Sequence, residues 1–187
     1  MSKEICFTAQ EPCKSAHFPT VVNIPQSVYK SYQCKYFLGQ SQLLNFGNNL
    51  NTWGALFNPK NSGVNLYVSV YTVTNTSDYP FKSRVWVDTP PIGTVHPATV
   101  IPANLTCGCI KPKVQFLWSE LVEKTPAKGT HVLTRMVPAK TTLVNEKEGK
   151  IVIPPGGSFL VYLVSPGPQH IQADIAFGWW EEEINCE

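Results

Sequence analysis

A chain of 187 residues with 43% hydrophobic content is long enough to bury one substantial core. Only 15% of it is charged, against a usual share of about a quarter, and the formal net charge is +2. The longest cationic cluster is Lys111-Pro112-Lys113, so nucleic acid has no basic stripe to follow, and no apolar run approaches the roughly 18 residues of a membrane span.

Residues 1–20, "MSKEICFTAQEPCKSAHFPT", show neither the strand nor the helix period and read as an extended N-terminal arm. They contain no apolar h-region and no small-residue cleavage site, so synthesis without a Sec signal peptide is expected. Residues 21–187 read as one β-sandwich domain. Sixteen prolines rarely leave ten clear residues for a helix. Strands are expected at 21–24, 28–37 and 52–57, with a short helix around 40–44. After the turn "NPKNSG", the stretch "VNLYVSVYTVTN" (64–75) is rich in β-branched and aromatic residues. A strand at 81–88 follows, and 89–113 reads as an ordered loop or crossover. Further strands are expected at 114–118, 132–137, 141–144 and 150–153, with a second helical piece at 118–124. Beyond the "PPGG" turn, "SFLVYLV" (158–164) is apolar on both faces and reads as a covered central strand. Last, "HIQADIAFGWW" (170–180) sends Ile171, Ala173, Ile175, Phe177 and Trp179 one way and polar or small residues the other. Eight to ten short strands separated by turns imply an all-β fold, an antiparallel β-sandwich or jelly roll.

No chemistry-bearing motif stands out. The four histidines lie in no recognisable catalytic pattern, so an enzyme is not expected, nor is a cofactor. The six cysteines are Cys6, Cys13, Cys34, Cys107, Cys109 and Cys186, and no pair has the Cys-x-x-Cys spacing of a zinc knuckle. Metal binding is therefore not expected; in "CGC" (107–109) each sulfur more readily finds a different partner, and disulfides or plain thiols are the readings left open. Trp86, Trp179 and Trp180 could serve a subunit contact or stack a ligand such as a glycan, with Trp86 and Trp180 on the more exposed strand faces. The alternative is that they fill the core. Glu181 to Glu183 read as a solvated charge gate guarding a strand edge. Cysteines near both chain ends are poorly placed to staple one core and well placed to reach a neighbouring copy. That favours a head-to-tail homo-oligomer locked by disulfides.

The pattern "NPKNSGVNLYVSVYTVTN", "IPPGGSFLVYLVSPGP" and "IAFGWWEEE" resembles an uncharacterised family of small proteins in spore-forming Firmicutes. More distantly, a cysteine-bearing arm before a weakly charged sandwich is similar to the subunits of Bacillus endospore appendages. That resemblance implies jelly rolls stacked into a surface fibre, with Cys6 and Cys13 as arm donors and some of Cys34, Cys107, Cys109 and Cys186 as acceptors. It also implies a spore or cell surface location, where thiols made in a reducing compartment become oxidised later. The arm departs from the appendage pattern in having no adjacent Cys-Cys pair, and the chain is longer. The alternatives are a carbohydrate-binding or adhesive module, which would add glycans or other surface proteins as partners, and a phage or virion jelly roll.

Overall fold

The computed structural model describes residues 23–184. A short helix, α1 (Gln26–Tyr32), leads into β1 (Tyr36–Gln40), β2 (Leu44–Gly47), β3 (Asn51–Phe57), β4 (Val64–Asn75) and β5 (Phe81–Val87). Then come β6 (His96–Pro97), β7 (Thr99–Pro102), β8 (Gln115–Val122), β9 (Thr130–Val137), β10 (Thr141–Ile153), β11 (Ser158–Val164) and β12 (His170–Glu183).

All pairings are antiparallel, and the strands form two sheets. One runs β10-β4-β12-β1-β7, with β2 also paired to β12; the other runs β6-β8-β3-β11-β5-β9. The chain alternates between sheets from β2 to β5 and again from β9 to β12, crossing within one sheet only between β5 and β9. With the β6–β8 excursion set aside, this is the eight-stranded jelly roll, two Greek keys closed face to face. The excursion widens both sheets on one side, placing β7 beside β1 and β8 beside β3.

The core lies between the sheets and includes Phe37, Phe46, Leu66, Val68, Tyr71, Phe159, Val161, Ile175, Phe177 and Trp179. A second cluster lies on the other face of the β3-β11 sheet, where Trp53, Leu160 and Tyr162 pack beneath Ile92 and Val95 of the excursion. Hence β11 is buried on both faces, as its unbroken apolar run requires. The excursion is tied down by Trp53 Nε1 donating to the Ile92 carbonyl (2.9 Å) and Tyr162 Oη donating to that of Lys124 (2.9 Å).

The strands expected at 64–75 and 158–164 match β4 and β11 end to end. Five expectations are corrected. The strand expected at 28–37 is α1 followed by β1, because Val28, Tyr29 and Tyr32 project to solvent and face no sheet. Of the strand expected at 21–24, Asn23 and Ile24 are irregular and the first two residues lie outside the described range. No helix forms at 40–44: β1 and β2 run in line along β12, and Ser41 bridges the break by exchanging hydrogen bonds with the Ile175 backbone (2.8 and 3.1 Å). The helix-favouring "SELVEK" at 119–124 is largely strand, since pairing of β8 with β3 outweighs local propensity. The two pieces at 141–144 and 150–153 are one strand, β10, interrupted by a bulge between Glu146 and Ile151.

Candidate interaction surface

The cysteines separate as the Cys-x-Cys spacing leads one to expect. Cys107 pairs with Cys34, their Cα atoms 5.7 Å apart across 73 residues of sequence. Cys109 is exposed with a free thiol. While the intrachain bond stands, Cys34 and Cys107 cannot accept a neighbour's cysteine, which leaves Cys109 as the acceptor among the described residues. Cys6, Cys13 and Cys186 lie outside the described range. The bond holds the end of α1 against the short 3₁₀ turn Leu105–Cys107. That turn is capped by Asn104, whose side chain accepts from the Thr106 N–H (3.1 Å). Closing so long a loop stabilises the fold by about 4 kcal/mol on the chain-entropy argument.

Around this staple several large apolar residues are exposed, interleaved with the polar Gln33, Thr106 and Lys111. Tyr32, two residues before Cys34, is 71% exposed, and Leu105, two before Cys107, is 75% exposed. Ile110, next to Cys109, is exposed as well. Exposed apolar residues flanking the staple and a free thiol make this region the candidate contact surface.

A second open feature is the edge strand β9. Apart from Leu133 and Val137, its residues are exposed on both faces, and Arg135 is its only fixed charge. Edges of this length are usually blunted by charge or bulges, and β9 has one bulge, at Val132 between the partners of Val85 and Trp86. β10, the neighbouring edge, carries both devices: Glu146, Lys147, Glu148 and Lys150 lie at or within its bulge.

The tryptophans do not form an exposed platform. Trp179 is fully buried in the inter-sheet core. Trp180, expected on an exposed face, is 1% exposed. It lies on the outer face of β12 in a cross-strand row, between Tyr36 (6.4 Å) and Tyr67 (5.3 Å), both stacked on it. The β10 bulge closes over it with Gly149, at φ +76°, where any side chain would strike the indole. Trp86 is half-buried, with its ring 5.2 Å from His131.

The glutamate run is no solvated gate. Glu181 is buried and accepts the backbone N–H groups of Lys113 (2.9 Å) and Val114 (3.0 Å) and the Trp179 Nε1–H (3.2 Å). Glu182 pairs with Lys30 of α1 and with Lys35 (2.8 Å), pinning the helix to β12. Only Glu183 is exposed. Burial pushes the Glu182 carboxyl up, but the two lysines outweigh it and hold the group below its ordinary range. A carboxylate held low contributes stability above its unfolded pKa and loses it as pH falls through the folded value. The tether of α1 should therefore loosen below about pH 4. Glu182→Gln is expected to reproduce that loosening at neutral pH, seen as faster amide exchange along α1. Unchanged exchange would assign the helix's hold to other contacts.

Among the described residues no group of three or more His, Cys, Asp or Glu is placed to hold a metal. None of their helices is long and apolar enough to cross a membrane. A family model described as a family of unknown function, DUF6143, matches residues 7–186. The chain belongs to DUF6143. No curated protein and no solved structure matches it. The match takes in the jelly roll, the 34–107 staple and residues 7–25 of the segment before α1.

Proposed function

We propose that this DUF6143 protein is a structural subunit that self-assembles on a spore or cell surface into a fibre or layer cross-linked by disulfides. The observation that carries this reading is the exposed Cys109 thiol together with the exposed apolar residues Tyr32, Leu105 and Ile110 flanking the staple. Its partner thiol would come from Cys6, Cys13 or Cys186 of the next copy, a heterologous contact that repeats without closing. The open β9 edge supports the same reading, since a strand of a neighbour can add to it. So does the likeness of a cysteine-bearing leader and jelly roll to endospore appendage subunits. Each cross-link joins two thiols and passes two protons and two electrons to an oxidant, for which molecular oxygen suffices.

Negative-stain microscopy and non-reducing denaturing gels of the oxidised protein test this. Regular fibres or sheets and a ladder of multimers are expected, with the ladder lost and the assemblies retained in Cys109→Ser. Monodisperse particles and a single monomer band in the oxidised wild type would overturn the proposal.

A further inference from the structure

The outer face of the β4-β12-β1-β7 sheet carries a trough of two adjoining halves. The first, about 390 Å³, is lined by Leu38, Val70, Thr72, Ile101, Ala176 and Gly178 among others. The second, about 610 Å³, is lined by Pro25, Gln26, Tyr36, Ser69, Val70 and Glu146 among others. Val70 lines both, so the two halves adjoin there.

The first half exists because the outward positions of β12 are small. Ala176 stands where a larger side chain would fill the space, while the place of a side chain on Gly178 is taken by the Tyr36 hydroxyl. Its walls are apolar and open to solvent, Leu38 being 41% and Ile101 48% exposed. An open apolar channel of this kind calls for an occupant.

The chain itself arrives at the channel. Pro25, Gln26 and Ser27 form one wall of the second half, so the residues just upstream enter the described fold at the trough's mouth. Those residues read Phe18-Pro19-Thr20-Val21-Val22, apolar apart from one threonine, and no Asp, Glu, Lys or Arg occurs from Ser15 to Pro25. From the level of Trp180 to that of Ala176 the trough runs four residues along β12, about 13 Å at the rise of a strand. Five extended residues cover roughly that distance.

We propose that residues 18–22 of this same chain seat in the trough, Phe18 and the two valines against Leu38, Val70 and Ile101. Docking in cis fixes where the leading segment leaves the molecule. It also sets Cys13 five residues upstream of the seat, within roughly 17 Å of its end. The inference stands apart from self-assembly, because a strictly monomeric protein would show it equally.

The test uses the full chain with the photoreactive residue p-benzoylphenylalanine in place of Leu38, mixed in equal parts as ¹⁵N-labelled and unlabelled protein. After illumination and digestion, the expected product joins the position-38 peptide to one containing residues 18–22, both halves carrying the same isotope. Products of mixed isotope would give the trough to a second copy, and products lacking residues 18–22 would leave it to another occupant; either overturns the proposal. Independently, Ala176→Arg blocks the channel. Trypsin cleavage after Lys14 should then quicken about tenfold, since cleavage follows the population of the undocked form. Cleavage after Lys3 serves as the internal control. An unchanged rate at Lys14 in a variant that melts like wild type would overturn the proposal as well.

Discussion

Replacing Glu181 with alanine is expected to destabilise the protein by about 3–5 kcal/mol, the cost of leaving three donors without an acceptor at a mostly buried site. For a chain of this size that corresponds to a fall in melting temperature of roughly 10 °C. The carboxylate gathers N–H groups from two directions: Lys113 and Val114 from the segment entering β8, and the Trp179 indole from β12 itself. It therefore ties the β6–β8 excursion to the sheet that carries the trough. Glu181→Gln separates charge from geometry. One amide oxygen can still take the Val114 and Trp179 donors, but its NH₂ then faces the Lys113 N–H, so a smaller loss of about 1–2 kcal/mol is expected. Thermal melts of the two variants decide the matter. Equal and small losses would mean that the excursion is held by its apolar contacts with Trp53 and Tyr162 instead.

How far the fold could be read from the sequence follows from which residues face a core. β4 and β11 were legible to the residue because β-branched and aromatic side chains alternate or run unbroken there, and the two buried faces of β11 explain the difference. β12 was legible as far as Phe177. Beyond it the side chains still alternate, Trp179 lying in the inter-sheet core, but the outer face is covered as well, by Tyr36, Tyr67 and the β10 bulge. From Gly178 to Glu181 four consecutive residues are then buried, which no period-2 reading anticipates. α1 was missed for the opposite reason. None of its residues is buried, so it has no apolar stripe to announce it.

Of the interaction surface, the spacing "CGC" announced two separate fates for its sulfurs but not the partner. Cys34 lies 73 residues away, brought near through the β1–β7 pairing, and no local pattern encodes that. The trough was illegible because it rests on the small Ala176 and on Tyr36 folding over Gly178, and small residues in a strand carry many other meanings.

Replacing Trp180 with alanine is expected to cost about 3–5 kcal/mol, as for other fully buried tryptophans. The ring is held by stacking on Tyr36 and Tyr67 and by the backbone of Gly149 above it. Its Nε1 has no hydrogen-bond partner among the described residues, so the loss is one of packing alone. Trp180→Phe should consequently recover most of the stability, whereas a role set by the indole N–H would not be rescued. The outward-facing position makes this variant informative about function too. If Trp180 served a glycan or a neighbouring subunit, alanine would leave the melting temperature of the isolated protein unchanged and weaken only binding or assembly. A marked drop in the monomer's own melting temperature assigns the ring to the fold: it would then be the pillar on which the β10 bulge and the second half of the trough rest. Trp86→Ala is the control, since that half-buried ring on the other sheet lies against His131 without a second aromatic beneath it, and a smaller loss is expected there.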